Sequence, residues 1–245
     1  MDDKAITRAQ SSRKPLRTAS DVAYSVIRDL ILRTELKPGQ VLAESELMSA
    51  LKIGRTPLRD ALRLLSHDGL VDIEPRRGTT VAPLRSSDLN AIFEVRIAIE
   101  PLIADAAIAR ATPLDHEHLR ALAEQAERNS ETQSDVSLDE ELHRQLVGIS
   151  RNRFLVDFYK RLRDESLRFR FLTGSGLDSK EQQSVFIRGV SESLDAGDKP
   201  RLSGLLVRHV EEFQQTVWQA LSQASHLGEN LSQEASDISL SAPDD

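Results

Sequence analysis

Pro57 constrains this chain more than any other single residue. Proline lacks the amide hydrogen that a helix interior needs, so a helix tolerates it only in the first turn. The run Gly54-Arg55-Thr56-Pro57-Leu58-Arg59-Asp60-Ala61-Leu62 therefore starts a helix just after Gly54. Arg55 and Arg59 are four residues apart and share a face, while Ala61, Leu62 and Leu65 supply apolar contacts on neighbouring faces. Two arginines at the exposed start of a helix, behind a tight glycine turn, have the form of a helix that enters a DNA major groove. Arginine pairs on surface helices are also commonly just solvated, so the flanks decide.

Upstream, Val22, Val26, Ile27, Leu30 and Ile31 form one helical stripe that stops before Lys37-Pro38-Gly39. Glu44 to Leu51 reads as a second short helix with Leu47, Met48 and Leu51 inward. The turn Lys52-Ile53-Gly54 then delivers the arginine helix, which closes at His67-Asp68-Gly69. This order is the helix-turn-helix pattern. Downstream, Leu70 to Glu74 alternates like a strand, with Val71 and Ile73 on one face. Pro75-Arg76-Arg77-Gly78 is a basic turn, and Thr79 to Ala82 is the returning strand. A hairpin with two arginines at its tip suits the wing of a winged helix, able to reach phosphate or the minor groove.

The formal net charge is -7, but residues 17–85 carry an excess of two positive charges and residues 86–245 an excess of eleven negative ones. Overall acidity is therefore compatible with a DNA partner, because phosphate meets local charge. With 245 residues the chain holds two modest domains or one larger one. The absence of cysteine excludes disulfides, thiolate zinc sites and cysteine nucleophiles. No apolar run reaches membrane-spanning length and Met-Asp-Asp-Lys is no signal segment, so a soluble cytoplasmic protein without a membrane partner is expected.

From Leu36-Lys37-Pro38-Gly39 through Gly54-Arg55-Thr56-Pro57-Leu58-Arg59 to Pro75-Arg76-Arg77-Gly78-Thr79-Thr80-Val81, the chain resembles the amino-terminal domain of the GntR family of bacterial transcription regulators. The resemblance implies that Arg55 reads guanine and that Arg59 contacts base or phosphate, with Thr56 beside them. It also implies that Arg76, Arg77 and Gly78 serve the wing. The family usually has Ser or Thr at the position of Gly54, so a capping hydroxyl that would touch phosphate is missing here.

Residues 86 to about 226 read as six helices with few strand signals, hence a bundle. The pieces Phe93-Glu94-Val95-Arg96-Ile97-Ala98-Ile99-Glu100, Asp139-Glu140-Glu141-Leu142-His143, Ser150-Arg151-Asn152 and Ala196-Gly197-Asp198 followed by His209 resemble the FadR-like subfamily with its FCD-type ligand domain. That domain is an antiparallel helical bundle that binds a small organic acid and usually supplies the dimer contact. Many relatives hold a divalent ion such as zinc or nickel through one aspartate and three histidines. Asp139, His143 and His209 match three of these, but the remaining histidine position is Ile187. The spacing of Asp139 and His143 by itself puts both on one helical face, which serves a metal site or a plain hydrogen-bonded pair. Arg96 is either a carboxylate anchor near the effector cavity or an i,i+4 partner of Glu100, with Arg161, Arg163, Arg168 and Arg170 as rival anchors.

The expectation is a mainly α protein: a flexible arm over 1–16, a winged helix-turn-helix over 17–82, an antiparallel all-α effector-binding and dimerisation bundle over 86–226, and a disordered tail over 227–245. The expected function is a homodimeric regulator, a repressor rather than an activator, on a near-palindromic operator. An organic-acid or sugar-acid effector bound around Arg96, Asp139, His143 and His209 would control it. A bundle that only dimerises, or a hydrolytic metal centre at Asp139, His143 and His209, are the other readings.

Overall fold

The stripe beginning at Val22 folds as helix α1 (Ala19–Leu32), whose start is fixed by Thr18: its side chain accepts from the amide of Asp21 at 3.1 Å. The computed structural model describes residues 18–128, 136–174 and 179–240, with side chains as far as Gln223 and without that of Ser86. The expected arm over 1–16 lies outside the described residues. Helix α2 (Glu44–Leu51) ends on Lys52 in the left-handed conformation, and α3 (Arg55–His67) follows. Leu58, Ala61, Leu62 and Leu65 of α3 are buried, as are Ala23, Val26, Ile27, Leu30 and Ile31 of α1, against which α3 packs. The stripe of apolar residues thus becomes the core of the winged helix.

Strands β2 (Val71–Glu74) and β3 (Gly78–Val81) form the expected hairpin. A third strand, β1 (Val41–Leu42), joins the outer edge of β3 to give the order β1-β3-β2, all antiparallel. Two residues are too few to carry an alternation, so β1 is invisible in sequence. Val71 is buried opposite Val81, whereas Ile73, paired with Thr79, is 46% exposed. The two share a face, but on β2 only the Val71 end is covered, while Thr79 opposite Ile73 is buried.

Among the described residues six further helices follow: α4 (Ser86–Arg110), α5 (Pro113–Arg128), α6 (Val136–Ile149), α7 (Arg153–Thr173), α8 (Lys180–Asp195) and α9 (Lys199–Leu240). Polar side chains fix several of their starts. Thr112 and Asp115 bond reciprocally before α5, Asn152 accepts from the amides of Phe154 and Leu155, and Ser179 with Gln182 forms a capping box at α8. Helix α9 runs through Leu240, into the stretch whose composition implies disorder. Glu229, Leu231, Gln233, Glu234 and Ala235 there are all good helix formers. Residues 241–245 lie outside the described residues.

The contacts divide the chain into two compact units. One takes in the chain through Ile92 and also Asp157–Leu172 of α7; the other comprises Phe93–Val156 and the chain from Thr173 onward. Within the second, α5 packs on α8 and α8 on α9, burying Leu119, Leu122, Ile187, Val190, Leu202 and Leu206. The Phe93 ring meets Phe213 edge-on at 5.5 Å between centroids, and Lys199 pairs with Asp105 at 2.9 Å. Those two contacts make α4 and α9 antiparallel and set Arg96 at about the level of His209. The fold is mainly helical, with a small winged β element ahead of an all-helical bundle. No described helix is long and apolar enough to cross a membrane.

Candidate nucleic-acid interface and buried ligand cluster

Gly54 is the N-cap of α3, in extended backbone and with no side chain to accept from the first turn. The open amides and the positive end of the helix dipole favour an anion there. Arg55, Thr56 and Arg59 are all exposed on this first turn and a half. Arg59 Nε lies 3.4 Å from Glu44 Oε2 of α2, a solvent-facing pair that a phosphate can displace at little cost. At the hairpin tip, Arg76 holds φ 71°, a left-handed conformation that a long side chain adopts at a cost of about 1 kcal/mol. Gly78 follows at φ 96°. Arg77 donates to Glu74 at 3.2 Å and is 82% exposed. The six residues expected to face DNA are thus all exposed on two elements of one unit, α3 and the β2–β3 turn.

In the second unit, Asp139 and His143 project one turn apart from α6, and α9 brings in His209. His209 Nε2 is 3.1 Å and His143 Nε2 is 3.4 Å from Asp139 Oδ1. Asp139 and His143 are buried and His209 is nearly so, and one ligand atom of each residue lies within 4.8 Å of the others. Donors around a shared tetrahedral ion at zinc-like bond lengths sit roughly 3.4 Å apart, so the three fit one metal ion as three of its ligands. Phe186 lies flat on His209, with centroids 4.1 Å apart and planes 8° apart, and so fixes the imidazole plane. The next residue, Ile187, is fully buried, and Gln183 one turn earlier is buried as well. An apolar side chain thus occupies the position where the resemblance puts a further histidine, and a fourth ligand would have to come from outside the trio.

Arg96 is 0% exposed, as is Glu100. The sequence leaves open whether these two simply pair. In the fold Arg96 Nη2 and Glu100 Oε1 are 3.9 Å apart, at the limit of an ion pair and beyond a hydrogen bond. Nε, Nη1 and Nη2 of Arg96 all lack a hydrogen-bond partner. A buried guanidinium with five unused N–H donors costs several kcal/mol unless something meets it. The rival arginines are engaged in the first unit: Arg161 with His67, Arg168 with Glu165 and the carbonyl of Ala82. Arg163 and Arg170 also have partners.

Residues 12–81 match the bacterial regulatory proteins of the gntR family, and residues 91–212 match the FCD domain. An HTH-type transcriptional regulator of Bacillus subtilis, YdhC, is 30% identical over 148 residues, which are 58% of this chain and 65% of YdhC. The chain thus spans slightly under two thirds of that relative. A regulator from the TAR-I ttuE-ttuC' intergenic region of Agrobacterium vitis is 34% identical over 133 residues, 51% of this chain and 77% of the relative. Among solved structures, E. coli McbR/YncC superposes with a TM-score of 0.68 at 19% identity, covering 83% of this chain and 99% of that one, a likeness of fold. These relatives are named as regulators of transcription or known by fold.

Proposed function

Because the chain belongs to the gntR family of bacterial regulatory proteins and carries an FCD domain, we propose that it is a DNA-binding transcription regulator whose operator affinity responds to a small carboxylate held in the helical bundle. One observation carries the ligand half of this reading: the fully buried Arg96 guanidinium, none of whose three nitrogens is hydrogen-bonded. A carboxylate supplies two acceptors in the fork geometry that guanidinium donors match. The antiparallel register of α4 and α9 sets Arg96 at the level of His209, so one organic acid can present a carboxylate to Arg96 and a second oxygen toward the Asp139–His143–His209 cluster. If a divalent ion is held there, it supplies Lewis acidity toward that oxygen; Asp139, His143 and His209 are the residues that hold it.

For the DNA half, Arg55 and Arg59 are exposed at the start of α3 and Arg76, Arg77 and Gly78 at the hairpin tip. This supports a reading in which the first pair meets base edges and phosphate and the tip serves as a wing at the minor groove. A homodimer would present two such heads to a near-palindromic site about one helical turn apart. Repression follows if that site overlaps a promoter, since occupancy alone then blocks transcription.

The test is selection of duplexes from a random pool, followed by titration of the selected site at several salt concentrations. Arg59→Ala is expected to weaken binding at least tenfold, and to lower the salt slope by about one if its contact is to phosphate. Wild-type protein that enriches no duplex, with and without a panel of organic acids, rejects the reading. Arg96→Met should abolish the thermal shift caused by the active acid and leave binding by the acid-free protein in place.

A further inference from the structure

Residues 160 to 171 of α7 present one charged stripe to the winged helix, all within the first compact unit. Lys160 Nζ donates to Tyr24 Oη at 2.6 Å and to Asp68 Oδ2 at 2.7 Å, and Tyr24 also donates to Asp68. One turn on, Asp164 accepts from Arg28 through both carboxylate oxygens, the Nε bond being 3.0 Å. Arg161 meets His67 at 3.3 Å, and Arg168 donates to the carbonyl of Ala82. The ring of Phe171 lies 5.4 Å from the guanidinium carbon of Arg33. The stripe thus reaches α1, the C-cap of the recognition helix and the residue that leaves β3.

Several features separate this contact from ordinary core packing. The backbones of α1 and α7 do not run closely against each other; the ends of long side chains bridge them. The winged helix has an apolar core built from its own elements, α1 packed on α3, and the stripe adds polar contacts to it. Asp164 is only 2% exposed while Arg28 is 19% exposed. Burial pushes the Asp164 carboxyl above the ordinary range even with Arg28 beside it. A buried ion pair of this kind adds little net stability, but it specifies one arrangement sharply, since a displaced charge is left unpaired.

We propose that this stripe of α7 is an ionic clamp that fixes the recognition helix and α1 for DNA binding, so that breaking it loosens the head without unfolding it. The clamp reduces the ordering that a recognition helix would otherwise undergo on the duplex, a cost that comes out of the affinity. Its duplex arm rests on the DNA-binding reading above; its exchange arm does not.

The experiment uses the full chain in three forms: Asp164→Asn, Lys160→Met, and the exchanged pair Arg28→Asp with Asp164→Arg. Lys160→Met is the mild form, because it leaves the Tyr24–Asp68 bond in place. Amide hydrogen exchange in 19–32 and in the last turn of α3 should quicken roughly tenfold in both single variants, with amides of α8 unchanged. Affinity for the duplex selected by the wild type should fall threefold or more, and the exchanged pair should recover most of both losses. Unchanged exchange in both single variants, exchange that quickens equally in α8, or affinity that rises would each overturn the clamp. A wild type that selects no duplex removes the DNA-binding reading alone, and the exchange arm still decides the clamp.

Discussion

Ile187 departs most sharply from what the chain's resemblance to its family implies. The sequence shows the lost donor, since isoleucine has no lone pair to offer, but not what became of the space. The fold supplies that: Ile187 is fully buried, and Phe186 beside it stacks on His209. Ile187→His should return a fourth donor, raising zinc or nickel affinity at least tenfold in competition against a chromophoric chelator. Before metal is added, the variant should be less stable by about 1–2 kcal/mol, because a polar ring replaces a buried aliphatic side chain. An unchanged affinity would mean that the trio does not face position 187. Arg96 shows the opposite limit of sequence reading. Its spacing from Glu100 admits an ordinary surface pair, and only burial together with the 3.9 Å separation shows otherwise.

Single elements were the most legible part of the chain, because their boundaries carry their own chemistry. Pro57, Lys37-Pro38-Gly39 and Asn152 mark helix starts and stops that the backbone follows. The bare cap at Gly54 is the exception worth testing. Gly54→Ser should supply the missing acceptor for the first turn of α3 and stabilise the head by a few tenths of a kcal/mol in thermal unfolding. An added Cβ meets only Pro57 Cδ, at 3.9 Å, so there is room for it. If the hydroxyl also reaches phosphate, duplex affinity should rise by more than the stability gain accounts for. What no element reveals is the α7 stripe. In sequence Arg161 and Arg168 read as rival effector anchors and Lys160 and Asp164 give no signal, because the partners of this stripe lie up to 136 residues away and long-range ion pairs leave no period.

Across the whole molecule, chain order and compactness diverge. A reading along the sequence divides the chain near residue 85, while Asp157–Leu172 packs with the unit that contains the head. Acid should expose the polar part of that unit. Burial alone would raise the Asp68 carboxyl, but bonds from Lys160 and Tyr24, with His67 adjoining, hold it below the ordinary range. A depressed folded pKa means that the stabilisation is complete above the unfolded value and disappears as pH falls through the folded one. Asp164 and Glu165, both raised by burial, have the opposite sign and lose stability as pH rises through theirs. Below about pH 4, Asp68→Asn should therefore flatten the acid limb of a denaturation series, and an unaltered limb would assign it to other carboxylates. Arg96 has a consequence beyond recognition. With Glu100 at 3.9 Å, beyond hydrogen-bond reach, the buried guanidinium would be better satisfied with an anion bound, so on the proposed reading occupancy would set the chain's lifetime as well as its shape. Were the proposed acid to bind there, the molecules without it would be the first that proteases clear in a cell, and the number of regulators would follow the metabolite.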